Sequence, residues 1–432
     1  MRAFIIDGSA PGEEKTSRLA AAIRDALETR GYAAETFPVA CKSVSPCVGC
    51  DVCGYVTPGV CGRKDDGLAI VEGAARCDLM VFVSSIAFGS YASAAKLAIE
   101  RTMPLLLPYF LKSRGEMHHR LRYEDLPSLL VAGYQEEADA DRARIFRKLA
   151  ERNGVNYLAP AFASLVVSGS PGPAELTGRI DEALAALETK PSRTTPMFPL
   201  PKPEEGPFGR GLSGTVLLVG AANCPKSNAR AIMNHLAGRI VAAGGRCATL
   251  DLPASGLLRG NFEPFSEAVR SADRILLINP LYHDTISYAA TRALEHLSGR
   301  RGELPSIPFG VFVHSGYPEP VHARTAVAVA RRFAAEMGWP WMGALTAGAT
   351  SPIGGEPLER AGRMTSNLRK GLDIAAAALA EGRPIPPGAV AWAAKPFMPP
   401  FLYLWAGNYL IRKRAREKKI ENLAARPYSR KP

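Results

Sequence analysis

The chain reads as an α/β protein of two doubly wound domains, each built on a parallel five-stranded sheet, joined by a proline-rich linker and followed by a basic arm. Three observations predict this. Runs that are apolar throughout, such as CDLMVFVSS (77–85) and ADRILLINP (272–280), alternate with helical stretches, as expected of strands covered on both faces. The same order of runs occurs twice. Between the two copies, residues 187–213 hold six prolines from Pro191 to Pro207, which excludes a regular helix or a central strand.

The elements follow in order. In the first copy RAFIIDGS is a strand, KTSRLAAAIRDALETRG an amphipathic helix closed by glycine, AAETFPV a second strand and CDLMVFVSS a third. In the second copy GTVLLVGAAN, KSNARAIMNHLAGRIVAAGG, RCATLDL and ADRILLINP repeat that plan. Gly8 matches Gly220, Asp78 matches Asp273, and Gly133-Tyr134 matches Gly316-Tyr317, with a spacing that shrinks at each step. The first copy therefore holds extra residues in two places: around the stretch CVGCDVCGYVTPGVC (47–61) and around PLLLPYFLKSRGEMHH (104–119). The predicted domains are 1–186 and 214–385, with the linker at 187–213 and the arm at 386–432.

At 432 residues, 47% hydrophobic and 22% charged, the composition is that of a globular protein too long for one ordinary core. Nine Lys or Arg against two Glu after residue 411 account for +7 of the net +12, so the basic character belongs to a tail and predicts no nucleic-acid partner. Met1 and Arg2 run straight into a strand pattern without a leader signature, and the apolar runs are too short to span a bilayer. A cytoplasmic location is expected, with reduced thiols. That makes a disulfide framework the least favoured account of four cysteines in fifteen residues.

In an open parallel sheet of order 2-1-3-4-5, ligands sit outside the carboxyl ends of the strands, between the loops after strands one and three. After strand one, GSAPGEEKTS leads into a helix, with hydroxyls on Ser9, Thr16 and Ser17 and the free N–H groups of a helix start, suited to a phosphate. After strand three, SSIAFGSYAS offers small residues over which backbone amides approach a flat ring. The pair suits flavin mononucleotide (FMN), although Thr and Ser at a helix start also serve as plain caps.

These stretches carry a resemblance. GSAPGEEKTSRL, the four-cysteine stretch with its trailing GRKDD, and SSIAFGSYASAAKLAIER together resemble the iron–sulfur flavoprotein branch of the NADPH-dependent FMN reductase family, over residues 1 to about 170. The second copy, with GAANCPKSNARAIM and NPLYHDTISYAATRALEHL, is similar to cluster-free flavodoxin-like NAD(P)H oxidoreductases. The resemblance implies two tandem flavodoxin-like domains and an FMN-dependent oxidoreductase with NAD(P)H as a possible electron donor. Its implied FMN contacts are Ser9, Lys15, Thr16, Ser17, Ser84, Ser85, Ile86, Ala87, Phe88, Gly89 and Tyr134. The corresponding positions of the second copy are Asn223, Ser227, Asn228, Pro280, Leu281, Tyr282 and His283. Each copy departs from the pattern. Ser85 and Ala87 replace the Pro and Tyr that the second copy keeps as Pro280 and Tyr282, while Glu13 and Glu14 bring negative charge to the first phosphate loop. FMN is expected in the first domain, beside the cysteines.

Cys47, Cys50, Cys53 and Cys61 fit one metal centre held by a tight loop, and the family pattern implies a [4Fe–4S] cluster. Zinc, a reduced set and a disulfide switch stay open. The loop follows edge strand two, on the flavin side, roughly 10 Å laterally from the switch point. In the resembled family a partner subunit completes the site, so the duplication predicts an internal pseudo-dimer or a homodimer, with a protein or small molecule as redox partner. The arm KPFMPPFLYLWAGNYLIRKRAREKK is read either as a peripheral contact to an anionic membrane or as a segment packed on a domain; its prolines favour packing.

Overall fold

A computed structural model describes residues 1–188, 194–209, 211–222, 224 and 226–429. The chain divides into two compact units, one of residues 1–196 with 405–432, the other of residues 197–404.

The first unit runs β1 (Arg2–Asp7), α1 (Glu14–Thr29), β2 (Ala33–Pro38), α2 (Val52–Tyr55), α3 (Gly67–Arg76), β3 (Leu79–Ala87), β4 (Ser90–Tyr91) and α4 (Ser93–Ile99). It continues with β5 (Leu106–Ser113), β6 (Glu116–Leu121), β7 (Ser128–Gln135), α5 (Ala140–Asn156), β8 (Phe162–Ser168) and α6 (Pro173–Ala185). Its main sheet is parallel, in the order β2-β1-β3-β7-β8, with β4 folded back antiparallel on the end of β3. Central strands β1, β3 and β7 are buried along almost their whole length, whereas edge strand β2 alternates, which is why only β2 breaks the continuous apolar pattern. Helix α1 turns Leu19, Ile23 and Leu27 into the core, each contributing about 1.5–3 kcal/mol by burial. Gly8, after β1, touches α4: a Cβ there would lie 2.3 Å from that of Ala95.

The second unit holds β9 (Thr215–Gly220), α7 (Asn228–Ala242), β10 (Arg246–Asp251), α8 (Ala254–Leu258), α9 (Glu263–Arg270), β11 (Arg274–Pro280) and α10 (Tyr288–Ser298). Then come β12 (Phe309–His314), α11 (Arg324–Met337), β13 (Trp341–Ala347), α12 (Ser366–Ala380) and α13 (Pro387–Ala394); α14 (Pro400–Glu417) leads into the last segment of the first unit. Its sheet order, β10-β9-β11-β12-β13, is the same 2-1-3-4-5. The fold class is therefore as the sequence predicts: two doubly wound parallel sheets in tandem.

Strand pairing corrects the repeat register. Asp7 pairs with Val83 and Gly220 with Ile278, the equivalent position of the third strand, so Gly220 matches Asp7 rather than Gly8. Tyr134 pairs with Ser85 and His314 with Pro280, so His314, not Tyr317, stands where Tyr134 stands. The Gly-Tyr dipeptides that suggested otherwise differ in place, because Gly316-Tyr317 lies beyond the end of β12. The two excess segments are real features: a cysteine loop between β2 and α3, and the antiparallel β5–β6 hairpin.

Residues 189–193 and 210 lie outside the described residues, but Lys148 donates to the Thr195 carbonyl at 2.8 Å in the first unit. In the second unit the Glu204 and Phe208 N–H groups donate to the Trp341 and Gly382 carbonyls. Residues 405–429 pack into the first unit, where Ile411, Ala415 and Leu423 form a small apolar cluster with Tyr55 of the cysteine loop.

Candidate functional site

Both units build the same loop at the carboxyl end of the third strand. In the first, β3 and β4 form a hairpin whose two turn residues, Phe88 and Gly89, have φ of 55° and 83°. Ser84 holds it, its Oγ accepting the Ala92 N–H at 3.0 Å. In the second, Tyr282 and Thr285 bond each other across a turn made by His283 and Asp284, at φ 53° and 56°. Asn279 Oδ1 accepts the Ser287 N–H at 3.1 Å, repeating the Ser84 bond at the matching position. Two adjacent non-glycine residues in the left-handed region cost about 1 kcal/mol or more each, a strain of the kind that collects at ligand sites.

The phosphate loops differ. In the first unit Glu13 folds back into its own loop, its carboxylate accepting the Ala10 N–H at 2.9 Å and the Ser85 hydroxyl at 3.0 Å. Ser9 is turned to Asp7, with both its N–H and its hydroxyl donating to Oδ1. Thr16 is buried beneath the helix start. Lys15 pairs with Glu136, which also accepts the Tyr134 hydroxyl at 2.8 Å. These hydrogen bonds raise the Lys15 ammonium and lower the Glu136 carboxyl. In the second unit Ser227 caps α7, its Oγ accepting the Arg230 N–H at 3.2 Å, and no acid stands in the first turn. Asn228 ties down the 350–355 loop, donating to the Thr350 carbonyl and accepting the Gly355 N–H. Lys226 pairs with Glu356 at 2.5 Å. Asn223 lies outside the described residues.

His314 is a candidate that sequence reasoning missed. It is buried at the end of β12, and burial pushes its imidazole down to about 4, so it is neutral. Thr350 Oγ1 donates to the Ser315 carbonyl, which leaves His314 Nδ1 as the donor in its 3.3 Å contact with Thr350 Oγ1. Nε2 is then an acceptor, and it has no partner among the described residues. The correct strand register was the signal that would have found it.

The cysteine loop leaves β2 at the carboxyl edge of the first sheet. Its two trailing acids close it. Asp65 accepts the N–H groups of Ser45 and Gly67, and Asp66 that of Ser43. Arg101, 1% exposed, grips Asp65 with two bonds of 2.8 Å, donates to the Ser45 carbonyl and points a fourth N–H at Cys61 Sγ, 3.4 Å away. Burial alone would raise the Asp65 carboxyl, but the Arg101 and Ser45 hydrogen bonds bring it to about 2. Burial pushes the Cys47 thiol up to about 12 and that of Cys53 to about 11. Gly49 and Asp51 turn the chain through positive φ between them. The last segment of the chain covers the loop: Arg414 lies 4.1 Å over the Tyr55 ring and 3.6 Å from Asp51. Buried Arg122 donates to the carbonyls of Leu423 and Ala425.

Residues 1–122 match the NADPH-dependent FMN reductase family. An iron-sulfur flavoprotein of Methanocaldococcus jannaschii is 27% identical over 114 residues, 26% of this chain and 58% of that relative. An oxidoreductase of Corynebacterium diphtheriae aligns at 16% identity over 40% of this chain and 97% of its own, with a TM-score of 0.31. An FMN-dependent NADH-azoreductase of Bacillus anthracis aligns at 11% identity over 43% and 97%, with a TM-score of 0.32.

In the ring loop of the first unit, Ser84, Ile86 and Phe88 are buried. The ring loop suits a flavin in both units. A dianionic phosphate suits the start of α7, and suits the start of α1 less well, because the Glu13 carboxylate stands in that loop and accepts the Ala10 N–H and the Ser85 hydroxyl. Among the described residues, no three His, Cys, Asp or Glu side chains are gathered to hold a metal ion. The donor chemistry does suit a thiolate-bound centre: four cysteines in one closed loop, an N–H on one sulfur, and two buried arginines beside them.

Proposed function

We propose that the protein is a flavin-dependent oxidoreductase that takes electrons from a reduced nicotinamide through FMN, with the cysteine loop of the first unit carrying a [4Fe–4S] cluster. The observation that carries the reading is a ring loop pinned by the same hydrogen bond in both units, together with a closed four-cysteine loop in the first that has an arginine N–H on Cys61. The match of this unit to the reductase family supports the flavin chemistry.

FMN, when bound, accepts two electrons and releases them singly. The chain's own residues supply the rest. Ser84 and Asn279 fix the two ring loops. Ser227 and the start of α7, flanked by Lys226 and Arg230, are the better phosphate site, which argues for flavin in the second unit rather than beside the cysteines as expected from the sequence. His314 Nε2 offers a buried acceptor to an N–H or hydroxyl of the bound molecule. Around the cysteines, Arg101 and Arg122 offset thiolate charge, and an N–H on Cys61 makes a cluster easier to reduce.

One second reading, a cluster-free NAD(P)H-dependent FMN or quinone reductase, is favoured because no three metal-binding side chains are gathered among the described residues. Protein purified without oxygen separates the two. Flavin bands over a broad shoulder that bleaches with dithionite, with iron and acid-labile sulfide near four per chain (the count a [4Fe–4S] centre requires), is the expected result. Flavin bands without iron give the second reading, and a colourless protein overturns both.

A further inference from the structure

Helix α14 has two unlike faces. Ile411 and Ala415 face inward to the Tyr55 cluster, and Asn408 exchanges two hydrogen bonds with the Phe110 backbone, so the helix is held firmly on the first unit. Its outer face is apolar and aromatic. Trp405 is 70% exposed and Tyr409 53%, one turn apart, their rings stacked at 5.9 Å; Leu410 is 58% exposed, and Phe401 continues the row one turn earlier. The same face then turns basic with Arg412, Lys413 and Arg416, followed by Lys418 and Lys419, against the single acid Glu417.

We propose that this face docks the protein on an anionic phospholipid surface. Tryptophan and tyrosine are the side chains that favour the boundary between headgroups and acyl chains, and a basic run one turn further on meets the negative charge of such a surface. A second copy of the chain carries the same cations and brings no acids to this face. No helix among the described residues is long and apolar enough to cross a membrane, so α14 lies on the surface rather than through it. Because α14 also covers the cysteine loop, docking brings that loop to the lipid. The inference stands apart from the flavin reading and is tested without it.

The test is sedimentation of the full-length protein with vesicles of phosphatidylcholine, with and without phosphatidylglycerol. Binding is expected only with phosphatidylglycerol, weakening with salt over the range where the Debye length shrinks below about 10 Å. Trp fluorescence should shift to the blue on binding, and that shift should vanish in W405F. The double variant W405S/Y409S should abolish binding, and K413E/R416E should weaken it on the order of tenfold or more. These side chains point outward, so an unchanged melting temperature checks the fold. Absence of binding to phosphatidylglycerol vesicles, or binding unchanged in both double variants, overturns the proposal. So does a concentration-dependent dimer that W405S/Y409S dissolves.

Discussion

The two units share a sheet order and a ring loop but treat the neighbouring helix start in opposite ways. In the first, Glu13 puts a carboxylate where an anion would bind, and the added residues of that unit build a closed loop of thiols, acids and arginines. In the second, a serine caps the helix, the first turn is free of acids, and no cysteine loop is inserted. The comparison teaches that a duplicated scaffold can divide its labour. The copy with the cysteine loop also carries Glu13 in the loop after its first strand, and the other copy has no acid in the first turn of its matching helix.

The largest expected effect contrasts two ion pairs. Arg101–Asp65 is nearly enclosed, whereas Arg230–Asp251 is 40% and 30% exposed. Arg101→Leu strands a buried carboxylate and should cost about 3–5 kcal/mol. Arg230→Leu should cost about 1 kcal/mol or less. Denaturant unfolding of the metal-free protein reads both, and equal losses would break the contrast.

A smaller effect is read in the pH dependence of stability. The Cys47 and Cys53 thiols titrate higher folded than their ordinary value of 9.0, reaching about 12 and about 11. The folded state then holds protons that the unfolded state has released. Their contribution is complete below pH 9 and is lost as pH rises through 11 and 12. Metal-free protein should therefore lose stability above pH 9, and C47A/C53A should flatten that loss. A slope unchanged in the double variant would count against buried thiols. Smallest is Ser227→Ala, which removes the α7 cap and should lower stability by about 1 kcal/mol, whereas Ser17→Ala, exposed in the first turn of α1, should cost a few tenths at most. Thermal melts of the two variants check the difference.

Much of this was legible in the sequence, for physical reasons. Continuous apolar runs such as LLVGA and MVFVSS can only be strands buried on both faces, so the parallel sheets and their duplication were visible. The cysteine loop showed itself as an excess in one copy. Exact register was not legible, because apolar residues are interchangeable along a buried strand; matching Gly-Tyr dipeptides then misaligned the fourth strand and hid His314. Glu13 was legible as a charge but not as a carboxylate folded onto Ala10 and Ser85, a contact between residues 72 apart. The arm's docking on the cysteine loop joins positions more than three hundred residues apart and leaves no periodic trace.

The claim at the centre of the comparison is that Glu13 closes the first phosphate loop to flavin. Titration of flavin-free, full-length protein with FMN, followed by flavin fluorescence, tests it in wild type and Glu13→Ser. The account predicts one FMN per chain in wild type and a second site appearing in Glu13→Ser. Two sites in wild type, or a single site that a Glu13 substitution abolishes, would contradict it.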